Sequence, residues 1–485
     1  LRHSPTARSA WERWAPSWAD RRHGLDHRAC EILPVAVSVA SHPGTLRPLV
    51  HLVWPVLLEQ LLEMLVGFSD TLLAGHFLAE KHVAAMANVS YLLWALTTVF
   101  ALVWVGAAAL VARHVGAGDL ALARRVTNQA VLIGAALALV LTAVTFMLRA
   151  PMVSALGLTG EPAARADEFL FFVLPTLPCV MMETVTIACL RAAGDMRAGL
   201  VTMAIVNVIN IALSWSLLSG VGPWPPLGWR GIALGTASGH LIGGTIALAL
   251  VLRGRAGLAL RWRWLRPDRA LIQRILRIGI PGGMDAVSIV TCQILYLSLI
   301  NGLGPLATAA HGVAIRIESL AYLPGYAFHL AASTLAGQFL GARDLARARR
   351  SVLTACLLGG GIMSAAGLCL FLWPQSLVEA FVGPGKPELI AAAAPLLRIV
   401  AVVIPPFSLM MILGGALRGA GDTRWPLAFS LFGFLAVRLP ATMFLAYHWG
   451  WGLPGAWYAM AADLVIRAAL VVARFASGAW QQVRV

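Results

Sequence analysis

The sequence predicts an all-α polytopic membrane protein, with twelve transmembrane helices in two six-helix lobes related by a pseudo-twofold axis. Three observations carry that expectation. Of 485 residues, 59% are apolar and only 12% charged, at a mean hydropathy of +0.78, whereas a soluble domain carries roughly 25% charged residues. The apolar residues fall in uninterrupted blocks of about 20, the length a helix needs to cross a ~30 Å hydrocarbon layer. Three short motifs recur in the same order about 226 residues apart, which marks an internal duplication. This composition excludes a cytosolic enzyme and a disordered chain.

In chain order, residues 1–47 stand apart as an N-terminal tail. Six arginines, Arg2 to Arg28, mix there with Trp11, Trp14 and Trp18 at helical spacing. The stretch reads as a surface-lying amphipathic helix, as a disordered tail, or as an upstream segment translated in error. From residue 48 twelve spans are expected: 49–74, 84–110, 127–148, 167–189, 199–219, 230–252, 271–300, 306–335, 351–373, 391–417, 426–448 and 453–475. They group as a first lobe (48–252), a basic linker (253–270), a second lobe (271–476) and a C-terminal tail (477–485).

The net charge of +15 does not point to nucleic acid, because the arginines sit in short loops between apolar blocks. Loops after spans two, four, six, eight and ten are arginine-rich. Loops after odd-numbered spans carry only Lys81, Arg149, Arg165, Arg230 and Lys386. By the positive-inside rule both termini then face the cytoplasm, in a multi-pass protein of the cell membrane. The six cysteines lie mostly inside apolar blocks, without metal spacing or a disulfide framework.

The duplication is explicit. "ARHVGAGDLALARR" (112–125) returns as "GQFLGARDLARARR" (337–350), and "LRAAGDMRAGL" (190–200) as "LRGAGDTRWPL" (417–427). "WPVLLEQ" (54–60), opening span one, answers "IPGGMDA" (280–286), opening span seven. Six spans per half is an even number, so both halves enter from the same side. The repeat is parallel, and a substrate path belongs between the halves.

At these residues the chain resembles the multidrug and toxic compound extrusion (MATE) family, over nearly all of 48–475. The most specific pieces are "GFSDTLLAGH" (67–76), the paired Gly-Asp loops and "AAHGVAIRIESLAYLPGYAFHLAASTLAGQFLGA" (309–342). The last resembles prokaryotic members, including the DNA-damage-inducible-F-like and NorM-type branches. The resemblance implies export of small organic, often cationic and lipophilic compounds in exchange for H⁺ or Na⁺, by alternating access between two lobes. It implies no cofactor beyond the coupling ion.

Charge inside the membrane is costly, so intramembrane acids are partnered, protonated or face water. Span one holds Glu59, Glu63 and Asp70. At about 100° per residue, Glu63 lies about 40° and Asp70 about 20° from Glu59, so all three share one face. Such a stripe lines a cavity or meets neighbouring helices. Asp70 matches the family's first-span aspartate implicated in cation coupling, and would take up H⁺, or Na⁺ instead, and release it when the cavity rewets. Glu59 and Asp285 each sit four residues past a proline (Pro55, Pro281) in corresponding places. They read either as cavity acids that attract cations or as helix-start acids satisfied locally.

Span five places Asn207, Asn210 and Ser214 within about 60° of one another. Asn210 matches a family cation-site position, but Ser214 stands where many members carry a carboxylate. In span seven, Ile289 stands where Na⁺-coupled relatives carry a glutamate. Both departures favour H⁺ coupling through the first half. Glu183, Arg316 and Glu318 are further candidates for the substrate cavity, against a structural role for each. Pro324-Gly325 is expected to kink span eight. Asp463 and Arg467, four apart in span twelve, can pair. The loop pairs Arg191/Asp195 and Arg418/Asp422 are expected to tie loop ends together and to latch the inward gate. Trp94, Trp104, Tyr296, Tyr322, Tyr326 and Phe407 can line a promiscuous cavity or pack as core.

The leading function is therefore a secondary antiporter, acting as a monomer in the lipid bilayer on small organic substrates. A lipid-linked precursor flippase of the same superfamily is the alternative, and a channel a more distant one. A flippase would need a strongly cationic cavity for a pyrophosphate. There is no Asp-rich prenyltransferase motif, and no Walker A loop to couple ATP.

Overall fold

The computed structural model describes residues 44–77, 80–155, 157–221 and 225–483, without the side chains of 68, 70–72, 74–77 and 80–88. The tryptophan–arginine stretch of the tail and the side chain of Asp70 lie outside the described residues.

The first half comprises α1 (Leu46–Phe77), α2 (Glu80–Thr98), α3 (Ala101–Gly116), α4 (Leu120–Met147), the short α5 (Arg149–Ala155), α6 (Gly160–Val173), α7 (Leu177–Ala192), α8 (Arg197–Ser219) and α9 (Trp229–Leu252). The second comprises α10 (Arg269–Asn301), α11 (Pro305–Gly341), α12 (Leu345–Leu372), the short α13 (Pro374–Val382), α14 (Pro387–Gly419), α15 (Arg424–Phe432), α16 (Leu439–Thr442) and α17 (Gly452–Ala476). Helices α2 and α3 form one pass bent by 45°. Helices α6 and α7 run as one pass through a 3₁₀ turn at Leu174–Thr176, and α15 and α16 as one pass through two π turns.

Twelve passes result, six per half. Among the described residues nine are long and apolar enough to cross a membrane alone, and the bent pair makes ten. The other two, α11 and α17, carry the intramembrane charges Arg316, Glu318, Asp463 and Arg467. Most helices overrun the predicted spans, α11 reaching Gly341 rather than 335, because polar turns outside the hydrocarbon continue the helix. Helix α11 also runs on through Pro324.

Local chemistry sets the ends. After the arginine-rich loops, Asp119, Asp268 and Asp344 accept from the backbone N–H of Leu122, Leu271 and Arg347, capping α4, α10 and α12. The linker between the halves is strapped to α4. Asn128 donates to the carbonyl of Ala259 (2.9 Å) and accepts from the N–H of Arg261 (2.9 Å). Gln129 donates to the carbonyls of Trp264 and Arg266 and accepts from the N–H of Asp268.

Glycine brings the helices close. Helix α9 carries Gly231, Gly235, Gly239 and Gly243, one every four residues along the face it turns to α8 and α7. A Cβ on Gly235 would stand 2.0 Å from Ser214 Oγ and 2.9 Å from its Cα.

The halves meet mainly where α3 crosses α10 and α11, and α1 crosses α11. At the arginine-rich end the backbones touch. A Cβ on Gly116 would lie 1.9 Å from the Gln338 carbonyl, and one on Gly341 2.0 Å from that of Arg113. The repeat aligns Arg113 with Gln338, and each bridges to the opposite half. Arg113 donates to the carbonyl of Ala420 (3.3 Å), and Gln338 to that of Ala192 (2.8 Å). The pseudo-twofold is thus written in the contacts as well as in the motifs.

Candidate functional site

A cavity of about 530 Å³ lies between the halves. Helix α1 supplies Glu59, Gln60, Glu63, Val66 and Gly67. Helices α2 and α3 add Trp94, Thr97, Thr98, Trp104 and Ala112. Helices α7 and α9 add Glu183, Arg191 and His240, and α10 and α11 add Ile289, Tyr326 and Thr334. Ala112, Arg191, Ala192 and Thr334 form its floor, next to the glycine contacts of the arginine-rich end.

Three acids and one arginine face this space. Glu59, buried at 3% exposure, pairs with Arg191, and its other oxygen has no hydrogen-bond partner. Glu63 accepts from the Gln60 amide at 2.8 Å. Glu183 lies against α9, where a Cβ on Gly243 would meet its Oε2 at 2.6 Å. Among the described residues, the only arginine of the lining is thus neutralised by one acid, and two carboxylates have no cation of their own.

Several sequence-derived candidates stand elsewhere. Asp285 is fully buried outside the cavity and pairs with Arg418, while its neighbours Ala286, Ile289 and Val290 line the wall. Glu59–Arg191 and Asp285–Arg418 are therefore the same ion pair, duplicated. The expected loop pairs do not form. Gly194 and Gly421 adopt φ of 97° and 86° and turn the chain out of the helix, so Asp195 reaches Arg255 (2.6 Å) and Asp422 reaches Arg474 (2.8 Å). Arg191 and Arg418 lean back along their helices into the membrane instead. In the loop, the Asp195 carboxylate holds the Arg255 guanidinium above its usual range.

Glu318 and Arg316 do not line the cavity either. Glu318 is 5% exposed inside the second lobe, with Oε2 unpartnered, and Arg316 is exposed. They are split because they stand two residues, about 200°, apart on α11. Near Glu318 is a buried cluster that the spacing only half foretold. Asp463 accepts from Arg467 (2.7 Å) as expected, and also from Arg438 of the π turn (2.7 Å). Both guanidiniums stack on Phe434, at 4.9 Å and 4.4 Å. An arginine inside the eleventh apolar block was the available signal for Arg438. Of the aromatics singled out, Trp94, Trp104 and Tyr326 line the cavity, whereas Tyr296 is buried and Tyr322 packs on Phe407.

Asn207, Asn210 and Ser214 sit behind the cavity wall, all buried on α8. Asn210 donates to Thr236 of α9 at 3.3 Å. Asn207 Oδ1, Asn210 Oδ1 and Ser214 Oγ have no partner, and neither does His240 Nδ1. Four buried polar atoms left open in one region are an unusual concentration of unmet hydrogen-bonding capacity. Among the described residues no group of His, Cys, Asp and Glu has the geometry to hold a metal ion.

Twelve passes in two matched bundles, in contact at one end and with a cavity between them, define a polytopic membrane protein built from two repeated halves. The MatE family model matches residues 55–216 and again 281–444, once per half. The chain therefore belongs to the MATE family of transporters.

A probable multidrug resistance protein NorM of Thermotoga maritima is 27% identical over 440 residues, covering 91% of this chain and 94% of that protein. Another from Pseudomonas aeruginosa is 31% identical over 441 residues, covering 87% of each. Among solved structures, MATE in the bent conformation superposes with a TM-score of 0.82 at 19% identity, covering 90% of this chain and 96% of that one. An outward-facing MATE family transporter of the MOP superfamily also gives 0.82 at 19% identity, covering 89% and 96%. These likenesses establish the twelve-helix, two-lobe fold.

Proposed function

We propose that the protein is an antiporter of the cell membrane, which exports small organic cations in exchange for protons taken up by the first lobe. The observation that carries this reading is the acidic lining of the cavity, where Glu59, Glu63 and Glu183 face a space whose one arginine among the described residues is already paired. Such a surface attracts a lipophilic cation, and Trp94, Trp104 and Tyr326 offer it aromatic faces. It repels a pyrophosphate, which speaks against the flippase alternative. The multidrug resistance proteins similar to this chain support the same direction.

Proton coupling in preference to Na⁺ rests on the replacement of a carboxylate by Ser214 and on Ile289 in span seven. Asp70, which continues the acidic face of α1, is the proton carrier in this reading. With the arginine-rich ends in the cytoplasm, closure at those ends makes this the state open to the outside, and the chain works as a monomer.

The test is accumulation of ethidium in everted membrane vesicles under an imposed pH or Na⁺ gradient. A pH gradient, acid inside, should drive uptake, a Na⁺ gradient should not, and Asp70→Asn should abolish the response. Uptake driven by Na⁺ alone overturns the coupling ion, and an undiminished Asp70→Asn overturns the site.

A further inference from the structure

The basic linker between the halves is held as a platform against the first lobe. Asn128 and Gln129 of α4 bind its backbone from Ala259 to Asp268. Leu260 donates to the carbonyl of Val251 in the last turn of α9 (3.1 Å), Arg124 donates to that of Gly257, and Leu258 is fully buried in the first-half core. These anchors fix the height of the segment as well as its shape. Helix α4 starts at Leu120, so Asn128 lies about 12 Å along it, and the apolar block of that pass begins at residue 127. The linker therefore runs at the boundary of the hydrocarbon layer and not in the water beyond the helix ends.

At the centre of this platform is the 3₁₀ turn Trp262–Trp264. Trp262 is 89% exposed, more than any other large apolar side chain among the described residues. Its neighbours Arg261 and Arg263 are exposed too, and both guanidiniums stand over the Trp264 ring, at 5.4 and 5.0 Å from its centre. Arg255 is taken by Asp195, and Asp268, the linker's one acid, by Arg125 (2.8 Å). Arg253, Arg261, Arg263, Arg266 and Arg269 are exposed and in no ion pair among the described residues. The turn thus offers guanidiniums to a phosphate and an indole to the headgroup boundary, but no free carboxylate to an ammonium.

We propose that this turn is a binding site for an anionic phospholipid, whose phosphate is held by Arg261 and Arg263 while the Trp262 indole lies among its glycerol and upper acyl carbons. A zwitterionic lipid fits less well, because its ammonium meets only arginines there. Each arginine near the membrane surface is drawn to anionic headgroups, and two of them acting on one lipid should give a preference of about tenfold. The site is carried by the first lobe, through α4 and α9. It depends on neither the coupling ion nor the exported compound.

Quenching of Trp262 in the full-length protein tests it, in phosphatidylcholine nanodiscs with increasing brominated phosphatidylglycerol or brominated phosphatidylcholine. The Trp262 emission is the difference between wild type and Trp262→Phe. Half-quenching should need about ten times less of the phosphatidylglycerol. Arg261→Gln with Arg263→Gln, measured against its own Trp262→Phe, should bring the two curves together. Arg349→Gln with Arg350→Gln, which removes two exposed arginines from the start of α12, should leave the tenfold difference. Inorganic phosphate, substituted for chloride at constant ionic strength, should not relieve the quenching. Equal quenching by both lipids in wild type, or none by either, overturns the proposal. An equal loss of preference in the two double variants means a diffuse basic field in place of a site, and relief by phosphate means a free anion in place of a lipid. Either result overturns it as well.

Discussion

The pair Glu59–Arg191 shows how a buried charge is kept in this protein. The Glu59 side chain is 4% exposed and its partner 19%, so each charge depends on the other for what water would otherwise provide. Removing one member of such a pair leaves an uncompensated buried ion, at a cost of about 3 kcal/mol or more. Arg191→Ala and Glu59→Gln should therefore each lower the melting temperature in detergent, since the first strands the Glu59 carboxylate and the second the Arg191 guanidinium. The double variant should cost less than the sum of the two. Arg418→Ala should behave alike through Asp285. Strictly additive losses in the double variant would refute the burial argument.

That Glu59 and Glu63 share the cavity face of α1 was legible in their spacing, because helical periodicity relates residues on one element. Their partners were not legible. Arg191 stands 132 positions from Glu59, and the nearer Asp195 looked the better partner until Gly194 turned the loop away. Arg438 and His240 were missed for the same reason. A single polar residue in an apolar block has no periodic companion, and only tertiary packing says what it meets.

At the scale of elements, the motifs predicted most. The two copies of Gly-Ala-x-Asp before a basic helix start fold into the same capped turn, with Asp119 and Asp344 each accepting from an N–H three residues on at 2.9 Å. The backbone N–H and the guanidinium of Arg347 hold the Asp344 carboxyl below its usual range. A depressed carboxyl stabilises the fold above its unfolded-state value, and that contribution fades as pH falls through the folded value. Asp344→Ala should cost about 1 kcal/mol at neutral pH, and the difference from wild type should shrink in acid. Thermal unfolding at several pH values checks both statements.

The glycine ladder of α9 makes a sharper claim, because its rungs differ. At Gly235 a Cβ would come within 2.9 Å of the Ser214 backbone, so the helices must part. At Gly239 the nearest atoms lie at 3.4 Å, an ordinary contact. Gly235→Ala should destabilise by about 2 kcal/mol, whereas Gly239→Ala should be near neutral. Similar losses at both positions would show that glycine's backbone freedom matters here more than the space it leaves. The four-residue period was visible in the sequence. Which rungs are tight was not, since that depends on where Ser214 and Val206 fall on the facing helix.

At the scale of the whole molecule, the duplicated contacts mark the surface that the proposed antiport has to open. It needs the arginine-rich ends to separate, and there the halves touch through backbone at Gly116–Gln338 and Gly341–Arg113. A side chain at either glycine cannot be accommodated while this end is closed, but it meets no such obstacle once the end has opened. Gly116→Val and Gly341→Val should therefore shift the population toward the opposite conformation without breaking either bundle. A tenfold shift corresponds to about 1.4 kcal/mol, well within the cost of overpacking a tight backbone contact. The reporter is a cysteine at Ala112, which lines the cavity floor and is 2% exposed, in a chain with its other cysteines replaced by serine. A membrane-impermeant thiol reagent supplied from the cytoplasmic side should label it slowly in wild type, and about ten times faster with valine at 116 or 341. Gly361→Val, at a position with nothing within 4 Å, should leave the rate unchanged. If valine at 116 and 341 does no more than valine at 361, this contact is not the barrier between the two states, and the gate must lie with the paired bridges of Arg113 and Gln338 instead.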